Sequence, residues 1–117
     1  MGNFSFPVSV VKNLTDFPNY FNNKDVEPVA GQDTDDTTGS VLNGGTSLSV
    51  PDNFGVRVKA LANNTDPVYV GGSGVSASDG FQLTPNSGVV LYVSDINMIS
   101  LIASTAGDGV SWIIEQS

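Results

Sequence analysis

From Phe54 to Trp112 the chain repeats one pattern: short runs rich in Val, Ile, Leu and aromatic residues, each closed within a few positions by Asn, Asp, Gly or Pro. The runs are Phe54–Leu61, Val68–Val70, Phe81–Leu83, Val89–Val93, Met98–Ala103 and Val110–Glu115. Strands spaced this closely by turn chemistry leave no room for crossover helices, so neighbours must pair antiparallel and stack sheet on sheet. The expected fold is all-β: an antiparallel β-sandwich of jelly-roll-like form with an irregular N-terminal arm. A chain of 117 residues supports one hydrophobic core and not two ordinary domains. Within that single domain, residues 1–53 read as the arm with the first strands, and residues 54–117 as the sandwich module.

The N-terminal half is less regular. Phe6–Val11 alternates well enough for an opening strand, with Pro7 placing it at an edge or a strand start. Between Asn13 and Lys24, Asn, Asp and Pro punctuate Phe17, Tyr20 and Phe21 without helical or strand period, which reads as a loop whose aromatics anchor on its own core or on a neighbour. Val26–Ala30 reads as a short strand and Gly31–Gly39 as an exposed acidic loop. Val41-Leu42 and Ser47–Val50 flank Asn43-Gly44-Gly45, a hairpin signal because these residues accept the positive φ of type I′ turns.

Side-chain alternation separates the strands into two kinds. Phe54, Val56, Val58 and Ala60 fall on one face and Arg57 and Lys59 on the other, giving one dry side and one wet side. Later strands are apolar both ways: Val90 and Tyr92 oppose Val89, Leu91 and Val93; Met98 and Ile102 oppose Ile99, Leu101 and Ala103; Ile113 opposes Val110, Trp112 and Ile114. Left in water, each of these outward side chains would forgo roughly 1.5 to 3 kcal/mol of burial. Together that rivals the whole folding free energy of a small domain, about 5 to 15 kcal/mol. Val90, Tyr92, Met98, Ile102 and Ile113, with Phe17, Tyr20 and Phe21, are therefore the candidate interface, covered by the arm or by a neighbouring chain. Charged residues make up only 14% of the chain, against about a quarter in an ordinary soluble domain, as suits a partly covered surface.

Composition narrows the chemistry. Twelve acidic residues against four basic ones leave a net charge of −8, which repels nucleic-acid phosphates and anionic membrane surfaces. No apolar run is long enough to cross a bilayer, and the first residues lack the basic and hydrophobic regions of a secretory signal, so folding in a cytosol is expected. Cysteine and histidine are both absent, which removes disulfides, thiolate sites and the commonest general base and metal ligand. Asp33, Asp35 and Asp36 form the densest carboxylate cluster but lack the ligand spacing and closing Glu of a calcium loop, so a solvated loop is expected, with no metal and no cofactor. Asp66, Asp79, Asp95 and Asp108 sit beside turn residues, where a carboxylate bonds nearby backbone amides. Gly71–Gly74 has no Gly-Lys-Ser/Thr ending and reads as a turn or bulge needing unusual φ, not a phosphate loop. Tyr69, Tyr92 and Trp112 could stack on sugars, but Trp112 shares its face with Val110 and Ile114, which favours the core. Nothing here points to an enzyme.

The stretch Val58–Leu83 resembles a module that recurs in small structural proteins of tailed bacteriophages, most specifically at Pro67-Val-Tyr-Val-Gly-Gly-Ser-Gly-Val75. Its continuation, Thr84–Gly88 and Ile102–Ile113, resembles the closing half of the same module, so the likeness covers positions 58 to 113. The resemblance implies a virion role without catalytic residues, and makes Gly71–Gly74, Val68, Val70, Phe81, Leu83 and Trp112 fold determinants. It implies a capsid decoration protein, made in the host bacterial cytoplasm and resident in the virion. Its partners would be the major capsid protein or other virion proteins, with sister copies in a homo-oligomer, a trimer if it occupies local three-fold positions. The alternative is a head-fibre or tail accessory protein that binds a host surface glycan.

Overall fold

A computed structural model describes residues 28–116 as eight strands: β1 (Val29–Thr34), β2 (Ser40–Val41), β3 (Phe54–Ala60), β4 (Val68–Gly71), β5 (Phe81–Leu83), β6 (Gly88–Leu91), β7 (Ser100–Ala103) and β8 (Gly109–Gln116). Two 3₁₀ turns, Leu42–Gly45 and Ile96–Met98, interrupt the connections. The expected strand at Phe6–Val11 and the loop carrying Phe17, Tyr20 and Phe21 lie outside the described residues.

The strands form two four-stranded sheets, ordered β1-β8-β3-β6 and β2-β7-β4-β5, with every pairing antiparallel. First pairs with last, second with seventh, third with sixth and fourth with fifth, as when one long two-stranded antiparallel ribbon is rolled up on itself. That is the jelly-roll arrangement, the expected fold class. Residues before position 54 are integral to it, since β1 sits at the edge of one sheet and β2 at the edge of the other.

Alternation decides what fills the interior. Val56, Val58 and Ala60 of β3 and Val110 and Trp112 of β8 point inward from the first sheet; Val68, Val70, Leu83, Leu101 and Ala103 point inward from the second. Leu42, Val50, Ile96 and Ile99 join the same cluster from the turns. Trp112, only 5% exposed, lies across Gly31 of β1, so close that a Cβ there would stand 2.6 Å from its ring. The indole Nε1 donates to Asp33 Oδ2 at 2.9 Å, which gives the buried ring its polar partner. Trp112 is thus a core residue, as its neighbours in sequence imply.

Carboxylates tie the connections together. Asp35, just after β1 and 3% exposed, accepts from the backbone N–H groups of Thr37 (3.1 Å), Gly39 (3.0 Å) and Ala103 (2.9 Å) and from the Ser40 hydroxyl (2.6 Å). It thereby links the β1–β2 connection to the end of β7. Asp108 accepts from the amides of Thr65 and Asp66, each at 2.9 Å, while buried Asn64 exchanges two hydrogen bonds with the backbone of Gly109. Elsewhere Asp95 accepts from the amides of Leu48 and Asn97, both at 3.0 Å, and from the Ser47 hydroxyl.

Three expectations are corrected here and a fourth, the Gly-rich turn of unusual φ, is narrowed to one residue. The segment 31–34 is strand, not loop: β1 continues because Gly31 makes room for the indole ring. Asp35 is buried and Asp33 only partly exposed, and each carboxylate meets protein donors. Asn43-Gly44-Gly45 does not close a hairpin; its left-handed residues (φ 59°, 61° and 81°) sit in a 3₁₀ turn, and β2 pairs with distant β7. In the Gly-rich stretch 71–74, only Gly74 has a positive φ, 78°, while Gly71 ends β4 under the Val75 side chain.

Replacing Asp35 with Ala leaves the buried Ala103 amide and the Gly39 amide without their acceptor. Chemical denaturation of Asp35→Ala should show a loss of about 2 kcal/mol or more, and an unchanged midpoint would contradict this role.

Candidate functional site

The outer face of the β1-β8-β3-β6 sheet is built by the same register that fills the core. Arg57 stands between Ile113 of β8 and Val90 of β6, and Ala30 of β1 continues that row beyond Ile113. The next row runs Gln32, Ser111, Lys59 and Gly88. In the third, Glu115 lies opposite Gly55, and Tyr92 and Val90 lean over that glycine so closely that a Cβ on it would stand 2.9 Å from each side chain. Gly55 is thus what lets Tyr92 lie flat against the sheet while 69% exposed.

An Arg57–Glu115 ion pair crosses the middle of this face in two-point geometry, Nε to Oε1 at 2.9 Å and Nη2 to Oε2 at 3.0 Å. The hydrogen bond from Arg57 holds the Glu115 carboxyl below its ordinary value, and the same bond raises the guanidinium. Both side chains are well exposed, so the pair contributes little to stability and serves mainly to hold two long side chains in one shape. Beside it, Ala30, Gln32, Arg57, Lys59, Ser111 and Ile113 border an open depression of about 480 Å³. The four basic residues of the chain are Lys12, Lys24, Arg57 and Lys59. Arg57 and Lys59 are the two among the described residues, and both are on this face. Arg57 is neutralised; Lys59 makes no ion pair among the described residues.

The candidate interface residues divide between surfaces. Val90, Tyr92 and Ile113 gather on this face, flanking Arg57. Ile102 is half-buried on the outer face of the other sheet, opposite Tyr69. Met98 was expected in a strand with Ile102; instead it belongs to the 3₁₀ turn before β7, 52% exposed, with its sulfur accepting from the Ser94 hydroxyl at 3.3 Å. Phe17, Tyr20 and Phe21 lie outside the described residues. Lys59, Gln32 and Glu115 were not among the interface candidates. The signal for Lys59 is in the sequence, since alternation sets it with Arg57 on the strand face away from the core.

The remaining carboxylates serve turns. Asp79 is lowered by the Ser76 amide and hydroxyl, Asp95 by the Ser47 hydroxyl and the amides of Asn97 and Leu48, and Asp36 by the Thr38 hydroxyl and amide. Among the described residues, no group of three or more carboxylates is placed to hold a metal ion, and no helix is long and apolar enough to cross a membrane. Comparison with models of known protein families and with curated proteins found no match for this chain.

Because the Glu115 carboxyl is lowered in the folded state, its contribution to stability is present above its ordinary value of 4.5 and is lost as pH falls below it. The thermal midpoint of the parent should exceed that of Glu115→Gln near neutrality, with the gap closing as the pH is taken below the ordinary carboxylate range. A gap that is constant with pH would show that the ion pair is not the source.

Proposed function

We propose that this chain is a structural protein of a tailed-bacteriophage virion, a capsid decoration protein that binds the assembled head and stabilises it. The observation that supports this reading best is the outward face of the β1-β8-β3-β6 sheet. Its inner side is already filled by the core, yet its outer side keeps Val90, Tyr92 and Ile113 around an ion pair and Lys59, which makes no ion pair among the described residues. An open, shallow depression suits a protein surface better than a small substrate, which is normally enclosed on most sides. The resemblance over positions 58–113 to phage structural modules points the same way. Jelly rolls occur among viral capsid domains and carbohydrate-binding domains alike, so the fold supports a virion role without choosing within it.

In this reading the partner is the major capsid protein, joined by sister copies around a local three-fold position. The physical mechanism is mass action: a protein that binds only the closed lattice shifts the assembly equilibrium toward it. No chemical step is required, and the apolar contacts supply the affinity.

Particles assembled with and without the protein test this directly. Those lacking it should release their genome at a lower temperature and at low ionic strength, and adding the purified chain back should restore them. Particles of equal robustness that fail to adsorb to cells would overturn the cement role in favour of the glycan-binding one. Absence of the polypeptide from purified particles would overturn both.

A further inference from the structure

On the outer face of the β1-β8-β3-β6 sheet, Lys59 makes no ion pair among the described residues, Tyr92 is exposed, and Val90 and Ile113 are partly exposed. We infer that this face receives residues 14–27 of a second copy of this chain, with Asp16, Asp25 and Glu27 answering Lys59, and Phe17, Tyr20 and Phe21 packing on Val90, Tyr92 and Ile113.

Charge is the first argument. At a net −8, two copies of this chain repel each other as wholes. An attractive contact must therefore concentrate opposite charges locally. Lys59, beside Ser111 on the rim of the depression, is the described cation free to do so. Residues 14–27 have the complementary chemistry, with three carboxylates against the single Lys24 and with Leu14, Phe17, Tyr20, Phe21 and Val26 interleaved.

Chain direction is the second. The segment joins the sheet at Val29, opposite Ile114, and β1 then runs alongside the depression through Ala30 and Gln32. To cover its own face, the chain would have to reverse sharply where it meets β1. Pro28 stands at that point; its ring fixes its own φ and biases the residue before it away from the helical region. Continuing outward, residues 14–27 span up to about 46 Å at ~3.3 Å per residue. Four strands at ~4.8 Å spacing make a face only about 19 Å wide, so the segment is long enough to reach and cross a neighbour's sheet.

This inference is independent of the virion reading and fails separately from it, because it concerns the purified chain alone. Full-length chain labelled with ¹⁵N is mixed with unlabelled chain, diluted and reconcentrated, then treated with a zero-length carbodiimide that joins amines to carboxylates. Mass spectrometry should find Lys59 joined to Asp16, Asp25 or Glu27, with about half of these links between a heavy and a light chain, as random exchange requires. Links confined to chains of one isotope would place the segment on its own face and overturn the exchange. Failure of Lys59 to link to any of the three would overturn the docking itself. In parallel, Val90→Asp and Phe17→Ala should each weaken self-association by about tenfold or more in sedimentation. Val90 points away from the core, so the strand content of Val90→Asp by circular dichroism should match the parent. Association unchanged in both variants would overturn the assignment of these contacts.

Discussion

The register of β3 against β8 is the constraint on which the rest of the molecule depends. With Val58 opposite Trp112 and Val56 opposite Ile114, the apolar sets of both strands face the same interior. The same pairing puts Arg57 opposite Ile113 and Lys59 opposite Ser111 on the outside. A slip of one residue would exchange the two sets, burying Arg57 and Lys59 and exposing the valines and the indole. The outer face is therefore not decoration added to a finished core. Its composition follows from the pairing that builds the core, and β1 and β6 extend both surfaces from either side of that central pair.

Holding the pairing in place falls to contacts between parts of the chain far apart in sequence. Asp35 reaches the amide of Ala103, Asp33 reaches the indole of Trp112, and Asp108 collects the amides of Thr65 and Asp66. Charged acceptors bonded to backbone amides are among the stronger hydrogen bonds, and here they replace the disulfides that a chain without cysteine lacks. Because β1 pairs with β8, the strand nearest the N-terminal segment is also fixed to the strand nearest the C-terminus. β1 is thus a hydrogen-bonded edge strand that borders the outer face. Non-local pairing of this kind also makes for slow folding, since long loops must close before their contacts form.

What could be read in the sequence was what alternation alone decides. Phe54–Ala60 and Val110–Glu115 each announce a strand and the side that faces the core, because period-two burial is a local property of the chain. Alternation does not say which sheet a strand joins. Ile102 and Ile113 both point away from the core, yet on opposite sides of the molecule, and Met98 lies in a turn stabilised by the Asp95 cap, outside any strand. The acidic segment misled for a different reason. Asp33 and Asp35 look solvated until donors from Trp112, Ala103 and Asn43 arrive, and those donors are brought by tertiary structure. Gly31 opens the segment that reads as loop; its function is to admit the Trp112 ring, a contact invisible until β1 and β8 are paired. Asn43-Gly44-Gly45 kept the positive φ that its residues favour, but in a 3₁₀ turn leading away from a strand whose partner lies far along the chain.

The central claim is that the outer face of the β1-β8-β3-β6 sheet is a contact surface. Hydroxyl-radical footprinting of the full chain across a concentration series tests it most directly. Tyr92 and Val90 should become protected as concentration rises, while Phe81, 58% exposed on the other sheet, stays equally reactive throughout. Oxidation of Tyr92 and Val90 that is independent of concentration, and unchanged when the chain is bound to particles, would contradict the account.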